Sequence, residues 1–226
     1  MTPELQHGTL GVEYAVGRQR KKSLRYRLRR RSYEVIQSIQ KYHTKEFGTL
    51  LDIGTADGLM LSHFKRTFPR AQCIGIELSM DLIEFNKDEF IKIIQADTLR
   101  LPFKNDSVDI TVSAALIEHV TDPILMMKEI HRVLPPGGIH VLTAPDPVWE
   151  HIATFIGHLP REQHCKVMNL EELERLLMET GFSVLEKKKF MLSPIGLPFE
   201  LTIENIIRRL RLNFLFANQL IIGRKI

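Results

Sequence analysis

The sequence predicts an α/β fold: a doubly wound, mostly parallel sheet with helices on both faces. Two observations predict it. Short apolar strand patterns alternate with helical patterns five times over about a hundred residues, which is typical of parallel sheets built from strand–helix units. A glycine-punctuated turn follows the first strand and leads directly into a helix, as at the ligand-binding edge of such sheets.

The first strand is predicted at 49–53, and the turn that follows it reads Gly-Thr-Ala-Asp-Gly at 54–58. Gly54 allows the backbone to turn tightly. Gly58 allows either close packing of the helix or close approach of a ligand to the backbone. The dinucleotide-binding pattern is absent, because its second and third glycines would fall on Ala56 and Leu59.

The charge of this turn favours one kind of ligand. A carboxylate at Asp57 would repel a bridging phosphate, so a ligand with a positive or zwitterionic end fits better. S-adenosylmethionine is such a ligand, because it carries a sulfonium and an ammonium and no phosphate. The alternative is that Asp57 only caps the following helix.

Polar residues fall at the ends of the next two predicted strands. Glu77 ends a strand at 71–77, nineteen residues after Gly58, where a carboxylate can accept hydrogen bonds from ribose hydroxyls. The alternative role for Glu77 is to cap the next helix. Asp97 follows a strand at 90–95, where its side chain can reach an adenine amino group.

The fourth predicted strand, 107–114, ends at Ala114 and leads towards His119. Both positions should face the same crevice. His119 is the candidate general base for an acceptor that must lose a proton. The alternative is that His119 is a helix-entry residue with no proton to move.

The second half of the chain completes the sheet. A helix is predicted from Leu170 with a capping box at Asn169 and Glu172, followed by a strand at 182–191 and a last strand at 218–222. Segments 147–168 and 194–216 are predicted insertions that cover the substrate. Their aromatic residues are Trp149, Phe155, Phe199, Phe214 and Phe216.

Residues 1–45 are predicted to form a separate lead-in followed by a basic helix, with the main domain at 46–226. Met1–Gly17 reads as irregular, and 22–42 has helical spacing. Of the fourteen residues 18–31, nine are Lys or Arg, although the net charge of the whole chain is only +4. Arg25, Arg29 and Arg30 are expected on a solvated face, which could instead contact an acidic substrate, an anionic membrane or RNA.

Composition indicates the cellular setting and argues against some classes of protein. The 226 residues contain two cysteines, Cys73 and Cys165, too few for a disulfide framework. No apolar run is long enough to span a bilayer, and the first twenty residues do not form a signal peptide. A reducing, cytoplasmic setting is therefore expected, and no metal site is predicted.

An ordered set of motifs now shows a family resemblance. The motifs are Leu-Leu-Asp-Ile-Gly-Thr-Ala-Asp-Gly at 50–58, Gly-Ile-Glu at 75–77, Ala-Asp at 96–97, Leu-Pro-Phe at 101–103, Ser-Val-Asp at 107–109, Glu-His-Val at 118–120 and Arg-Val-Leu-Pro-Pro-Gly-Gly at 132–138. Over 46–190 the chain resembles class I S-adenosylmethionine-dependent methyltransferases of the type 11 group. Ala56 departs from the family, which often has Gly there; Ala is tolerable if its φ is not positive.

This resemblance implies a Rossmann-like seven-stranded sheet whose last strand runs antiparallel. It implies that the cofactor is S-adenosylmethionine, bound by residues of three strand ends. Those residues are Asp52, Gly54, Thr55, Ala56 and Gly58 around the methionine part, Glu77 and Leu78 at the ribose, Asp97, Thr98 and Leu99 at the adenine, and Ala114 at the crevice.

Three functional hypotheses follow. The first is methyl transfer to a small molecule, either lipid-like or acidic, at a membrane surface if the acceptor is a lipid. The second is an RNA or protein methyltransferase that docks through 18–31. The third is a cofactor-binding module without catalysis.

Overall fold

The computed structural model describes residues 11–155, 167–193 and 195–226. The seven strands are β1 (Thr49–Ile53), β2 (Gln72–Glu77), β3 (Lys92–Gln95), β4 (Ile110–Ala114), β5 (Ile139–Pro145), β6 (Phe182–Phe190) and β7 (Asn218–Lys225). The helices are α1 (Val12–Arg20), α2 (Lys22–Tyr42), α3 (Leu59–Thr67), α4 (Met80–Phe85), α5 (Pro123–Val133), α6 (Pro147–Phe155), α7 (Leu170–Glu179) and α8 (Glu200–Arg209). Short 3₁₀ turns occur at Ile117–His119 and Asn213–Leu215.

All seven strands form one sheet in the order β3-β2-β1-β4-β5-β7-β6. The pairs among β1 to β5 are parallel, and β7 runs antiparallel to both β5 and β6. The direction of strand progression reverses between β1 and β4, which makes their carboxyl ends the expected ligand crevice. The predicted fold class, including the antiparallel last strand, is confirmed.

Helices cover both faces of the sheet, and each face has its own apolar core. On one face α5 and α7 pack against β1, β5 and β7. On the other face α2 and α3 do so, with Val35, Ile39 and Phe64 fully buried. Because α2 shares this core, it packs directly on the sheet. The domain boundary at 45/46 remains a prediction.

Local signals in the sequence explain where several helices begin. Asp122 caps α5 by accepting a hydrogen bond from the Leu125 amide at 2.9 Å, and Pro123 occupies the first helical position. Asn169 and Glu172 form the predicted capping box at the start of α7. These caps fix two helices that pack against the sheet.

Two predictions about the amino-terminal region were wrong. Residues 12–17, predicted as part of an irregular lead-in, belong to helix α1, and residues 1–10 of that lead-in lie outside the described residues. Arg30 does not lie on a solvated face with Arg25 and Arg29, because its side chain is buried and ion-paired with Glu34 and Glu204. Local periodicity could not reveal the second of these pairs, since Glu204 lies 174 positions from Arg30 in the chain.

No helix in the described ranges is long and apolar enough to cross a membrane. Within the same ranges, no group of three His, Cys, Asp or Glu side chains is arranged to hold a metal ion.

Candidate functional site

The turn after β1 is tied to the end of β2. The amides of Gly54 and Thr55 both donate to the Ile76 carbonyl, at 2.9 and 3.0 Å. The Thr55 hydroxyl donates to Asp52 at 2.7 Å, and the Ala56 amide donates to Glu77 at 2.8 Å. The structure therefore brings the predicted residues of the first two strand ends into one hydrogen-bonded network.

Ala56 has a φ of +54°, in the left-handed region. The condition under which Ala is tolerable here, a φ that is not positive, is therefore not met. A non-glycine residue in this region carries strain of about 1–2 kcal/mol. The hydrogen bond from its amide to Glu77, together with burial against Ala15 and Leu82, offsets part of that strain.

Gly58 allows the start of α3 to pack closely on its neighbours. A Cβ on Gly58 would lie 2.5 Å from the Ile91 side chain and 3.0 Å from Ile93. The start of α3 is thus packed closely against the region of β3, which supports the packing role predicted for this glycine, and ligand approach to its backbone remains a prediction.

Glu77 accepts hydrogen bonds from three backbone amides. These come from Ala56, Leu78 and Ser79, at 2.8–3.0 Å. A carboxylate offers about four acceptor positions, so about one remains for a ribose hydroxyl. Glu77 therefore fixes the two loops on either side of the crevice and can still accept one hydrogen bond from a ligand.

Asp57 is buried and ion-paired with Arg18 of α1. Burial raises the pKa of Asp57, although Arg18 acts in the opposite direction. Asp57 is therefore not expected to repel a bridging phosphate as the sequence suggested, because Arg18 compensates its charge. Sequence reasoning missed Arg18, because nothing local links two residues that lie 39 positions apart.

Asp52 is the second buried acid at this turn. It is 2% exposed at the end of β1 and accepts a hydrogen bond from the Thr55 hydroxyl. Burial raises the pKa of Asp52 to about 7, against the opposing effects of Thr55 and the Arg18 charge. A cationic group placed beside it would favour its ionised form.

The third strand end lies beside Glu77. The Ala96 amide donates to the Glu77 carbonyl at 3.0 Å, which places Asp97 next in line along this edge. Asp97 is exposed and accepts a hydrogen bond from the Leu99 amide at 2.8 Å. Leu78 is exposed as well, whereas Thr98 and Leu99 are half-buried.

The segment after β4 closes the other side of the turn. A Cβ on Gly54 would lie 2.7 Å from Leu116, so this leucine packs directly on the turn. Ala114 and His119 are half-buried and flank Leu116 on either side along the chain. His119 ends the 3₁₀ turn, and its amide donates to the Leu116 carbonyl at 2.8 Å. Leu116 was not among the predicted residues.

A family model described as a methyltransferase domain matches residues 26–187, more than half of the chain. The chain belongs to this methyltransferase family. It is an S-adenosylmethionine-dependent methyltransferase, and solved relatives of the same fold contain S-adenosylhomocysteine.

Known proteins similar to this methyltransferase differ in substrate. A ubiquinone/menaquinone biosynthesis C-methyltransferase of Desulfotalea psychrophila is 27% identical over 66% of this chain and 72% of its own. A Haloferax volcanii methyltransferase solved with the Trm112 activator has a TM-score of 0.70 at 19% identity, covering 94% and 97% of the two chains. Geranyl diphosphate C-methyltransferase of Streptomyces coelicolor has a TM-score of 0.62 at 17% identity, covering 84% and 78%.

Other curated relatives are matched over less than half of their own length. The comparisons therefore establish family and cofactor, and leave the methyl acceptor open.

The residues present fit S-adenosylmethionine. A cation would favour the ionised form of the buried Asp52, so Asp52 suits the cationic end of the cofactor, and Glu77 keeps about one acceptor position for a ribose hydroxyl. Contacts of individual residues with the cofactor remain predictions. They concern Asp52, Gly54, Thr55, Ala56, Gly58, Glu77, Leu78, Asp97, Thr98, Leu99 and Ala114.

Part of the predicted substrate cover lies outside the described residues. Within 147–168, this applies to residues 156–166, which include His158, His164 and Cys165. Cys73, the other cysteine, is a buried free thiol of the sheet core, as predicted.

Proposed function

We propose that the methyltransferase transfers the methyl group to a small molecule with an apolar part. One observation carries this proposal. The segment between β6 and β7 returns to the carboxyl edge of the sheet, where Asn218 pairs with Pro145 and Phe190. This segment exposes several large apolar side chains beside the edge that the cofactor site occupies.

The names of two relatives are consistent with such an acceptor. One acts in ubiquinone and menaquinone biosynthesis, and another methylates geranyl diphosphate at carbon. Both names describe small-molecule acceptors. The low identities mean that they support the class of acceptor and not its identity.

The alternative of RNA or protein docking through 18–31 loses support from the burial of three arginines. Arg18 pairs with Asp57, Arg30 pairs with Glu34 and Glu204, and Arg31 donates to the Asn218 side chain at 2.9–3.2 Å. These cations stabilise the fold and are not available to phosphates. Nucleic-acid affinity scales with the number of phosphate contacts. The remaining basic surface should therefore bind nucleic acid more weakly than the sequence suggested.

The chain's own residues would act by holding and orienting the reactants. When bound, S-adenosylmethionine supplies an activated methyl group. Asp52 and Glu77 would hold its methionine and ribose parts, so that alignment supplies much of the rate enhancement. His119 would accept a proton from an acceptor hydroxyl or acidic carbon, because it follows β4 at the mouth of the crevice.

A labelling experiment tests the proposed acceptor class. The purified protein is incubated with methyl-labelled S-adenosylmethionine and with total RNA, protein and lipid-soluble extracts supplied separately. We expect label in a small molecule that partitions into the organic phase. Transfer of label to RNA or protein alone would contradict the proposal.

A further inference from the structure

Helix α8 has an inverted distribution of polar and apolar residues. A surface helix of a globular protein normally buries apolar side chains and exposes charged ones. In α8 the acids Glu200 and Glu204 are buried, whereas Leu201 and Ile206 are about half exposed. The outward face of α8 is therefore more apolar than the outward face of an ordinary surface helix.

The inward face of α8 is held by hydrogen bonds and ion pairs. Glu204 accepts from the Met191 and Leu192 amides and pairs with Arg30 at 2.7 Å. Glu200 accepts from the amides of Leu192, Ser193 and Leu197 and from the Tyr26 hydroxyl. These contacts fix which face of the helix points outward.

The exposed apolar residues are concentrated in and around α8. Of the seventeen large apolar side chains exposed in the described ranges, eight lie within residues 195–214. We call this segment the apolar rim. Those eight residues are Ile195, Leu197, Phe199, Leu201, Ile206, Leu210, Leu212 and Phe214. Such a concentration is typical of an interaction surface rather than of scattered surface residues.

The exposed charges of the apolar rim all have one sign. Its two acids, Glu200 and Glu204, are buried. Its fully exposed charged residues are Arg209 and Arg211. Arg208 is half-buried, pairs with Glu204 and lies over the Phe216 ring at 5.0 Å. The surface thus combines exposed aromatic and aliphatic side chains with positive charge.

More positive charge lies next to the apolar rim. The Tyr26 ring of α2 packs against Gly196, where an added Cβ would lie 2.7 Å from the ring. Arg25, which precedes Tyr26, and Arg29, about one helical turn after it, are exposed. The exposed part of the basic stretch therefore borders the apolar rim.

We propose that the apolar rim docks the methyltransferase on an anionic lipid bilayer. Apolar side chains would enter the interface while Arg209 and Arg211 contact lipid phosphates, as in interfacial amphipathic elements. The rim lies at the carboxyl edge of the sheet, so docking would turn the crevice towards the membrane. This inference goes beyond the proposed function, since membrane docking does not depend on which acceptor is methylated.

The charge pattern favours a bilayer over a second copy of the chain. Two copies meeting through the same surface would bring the exposed Arg209 and Arg211 of both copies into one interface. The buried acids Glu200 and Glu204 could not neutralise them. An anionic surface has no such conflict.

Vesicle flotation of the full chain tests the proposal. We expect flotation with vesicles of phosphatidylcholine plus phosphatidylglycerol at low salt, and little with phosphatidylcholine alone. Arg209→Gln with Arg211→Gln should weaken the partition of the protein onto anionic vesicles roughly thirtyfold. That factor corresponds to about 2 kcal/mol of lost electrostatic attraction for the two arginines together. Phe199→Ser with Phe214→Ser should abolish flotation at moderate salt, where attraction by charge alone is screened.

Matched control variants lie at the opposite edge of the sheet. Phe90 is 87% exposed shortly before β3, and Arg70 is an exposed arginine shortly before β2. Phe90→Ser and Arg70→Gln make the same chemical changes and should leave flotation unchanged. Circular dichroism establishes that every variant is folded.

Three results would overturn the proposal. One is absence of flotation with anionic vesicles at low salt. Another is equal loss of flotation in the control variants. The third is a stable dimer in light scattering that Phe199→Ser with Phe214→Ser dissociates, because a second copy would then occupy the rim.

Discussion

Asp52 is the residue whose chemistry most directly links the fold to the cofactor. Its folded-state pKa of about 7 is well above the usual value near 3.9, because the strand end buries it. The folded state therefore favours the protonated acid. The resulting contribution to stability is complete below the unfolded pKa and is lost as pH rises towards about 7.

This shift predicts a pH dependence of cofactor binding. A cationic cofactor beside Asp52 favours the carboxylate, so binding should release protons below pH 7 and affinity should rise with pH up to about 7. Calorimetry in buffers of different ionisation enthalpy measures the release. Asp52→Asn should remove it.

Asp81→Asn, at an exposed acid of α4, is the control and should behave like the unchanged protein. Equal proton release by the Asp52→Asn protein would show that another group is responsible.

Substitutions at two glycines distinguish the cost of backbone strain from the cost of steric crowding. Gly54 and Gly137 both have positive φ, at +71° and +86°. An added Cβ meets Leu116 at 2.7 Å in the first case and nothing within 4 Å in the second. Gly137→Ala should therefore cost about 1–2 kcal/mol of unfolding free energy. Gly54→Ala should cost more and also weaken cofactor binding.

Urea unfolding and cofactor titration of the two variants measure both effects. Equal losses of stability, with unchanged cofactor affinity in Gly54→Ala, would show that Leu116 moves aside and that the turn is not part of the site.

At the scale of elements, the formation of α1 and the packing of α8 depart most from what the sequence indicated. Both depend on ion pairs between residues distant in the chain: Arg18 with Asp57, and Arg30 with Glu204. Helical periodicity correctly located α2, and the capping box correctly located the start of α7. Periodicity assigned Arg30 to solvent, because it describes a helix in isolation and not the acids that pack against it.

The polar contacts of α8 predict that removing the Glu204 side chain lowers the free energy of unfolding. Glu204 is fully buried and accepts from two backbone amides and two arginines. Glu204→Ala would leave Arg30 buried with Glu34 as its remaining acidic partner, which should cost about 3–5 kcal/mol. Asn205→Ala, at the exposed neighbouring position, should cost less than about 0.5 kcal/mol.

Denaturant unfolding followed by circular dichroism compares the two variants. Similar small losses in both would mean that the buried contacts of Glu204 do not hold α8 in place.

At the scale of the whole molecule, the sequence predicted the sheet because local strand–helix alternation leaves few topologies open. Parallel strands place their carboxyl ends on one edge, so Asp52, Glu77 and Asp97 were expected together. The structure links Asp52 through Thr55 and Ala56 to Glu77, and Glu77 to the strand end that leads to Asp97. The left-handed conformation of Ala56, the contact of Leu116 with Gly54 and the outward apolar face of α8 required the folded chain.

The central claim is that these strand ends form one crevice for the cofactor. A crystal structure of the protein with S-adenosylhomocysteine tests it most directly. We predict the nucleoside across the carboxyl ends of β1, β2 and β3, with a ribose hydroxyl on Glu77 and the amino group near Asp52. A nucleoside bound elsewhere, or a ribose that does not contact Glu77, would contradict the claim.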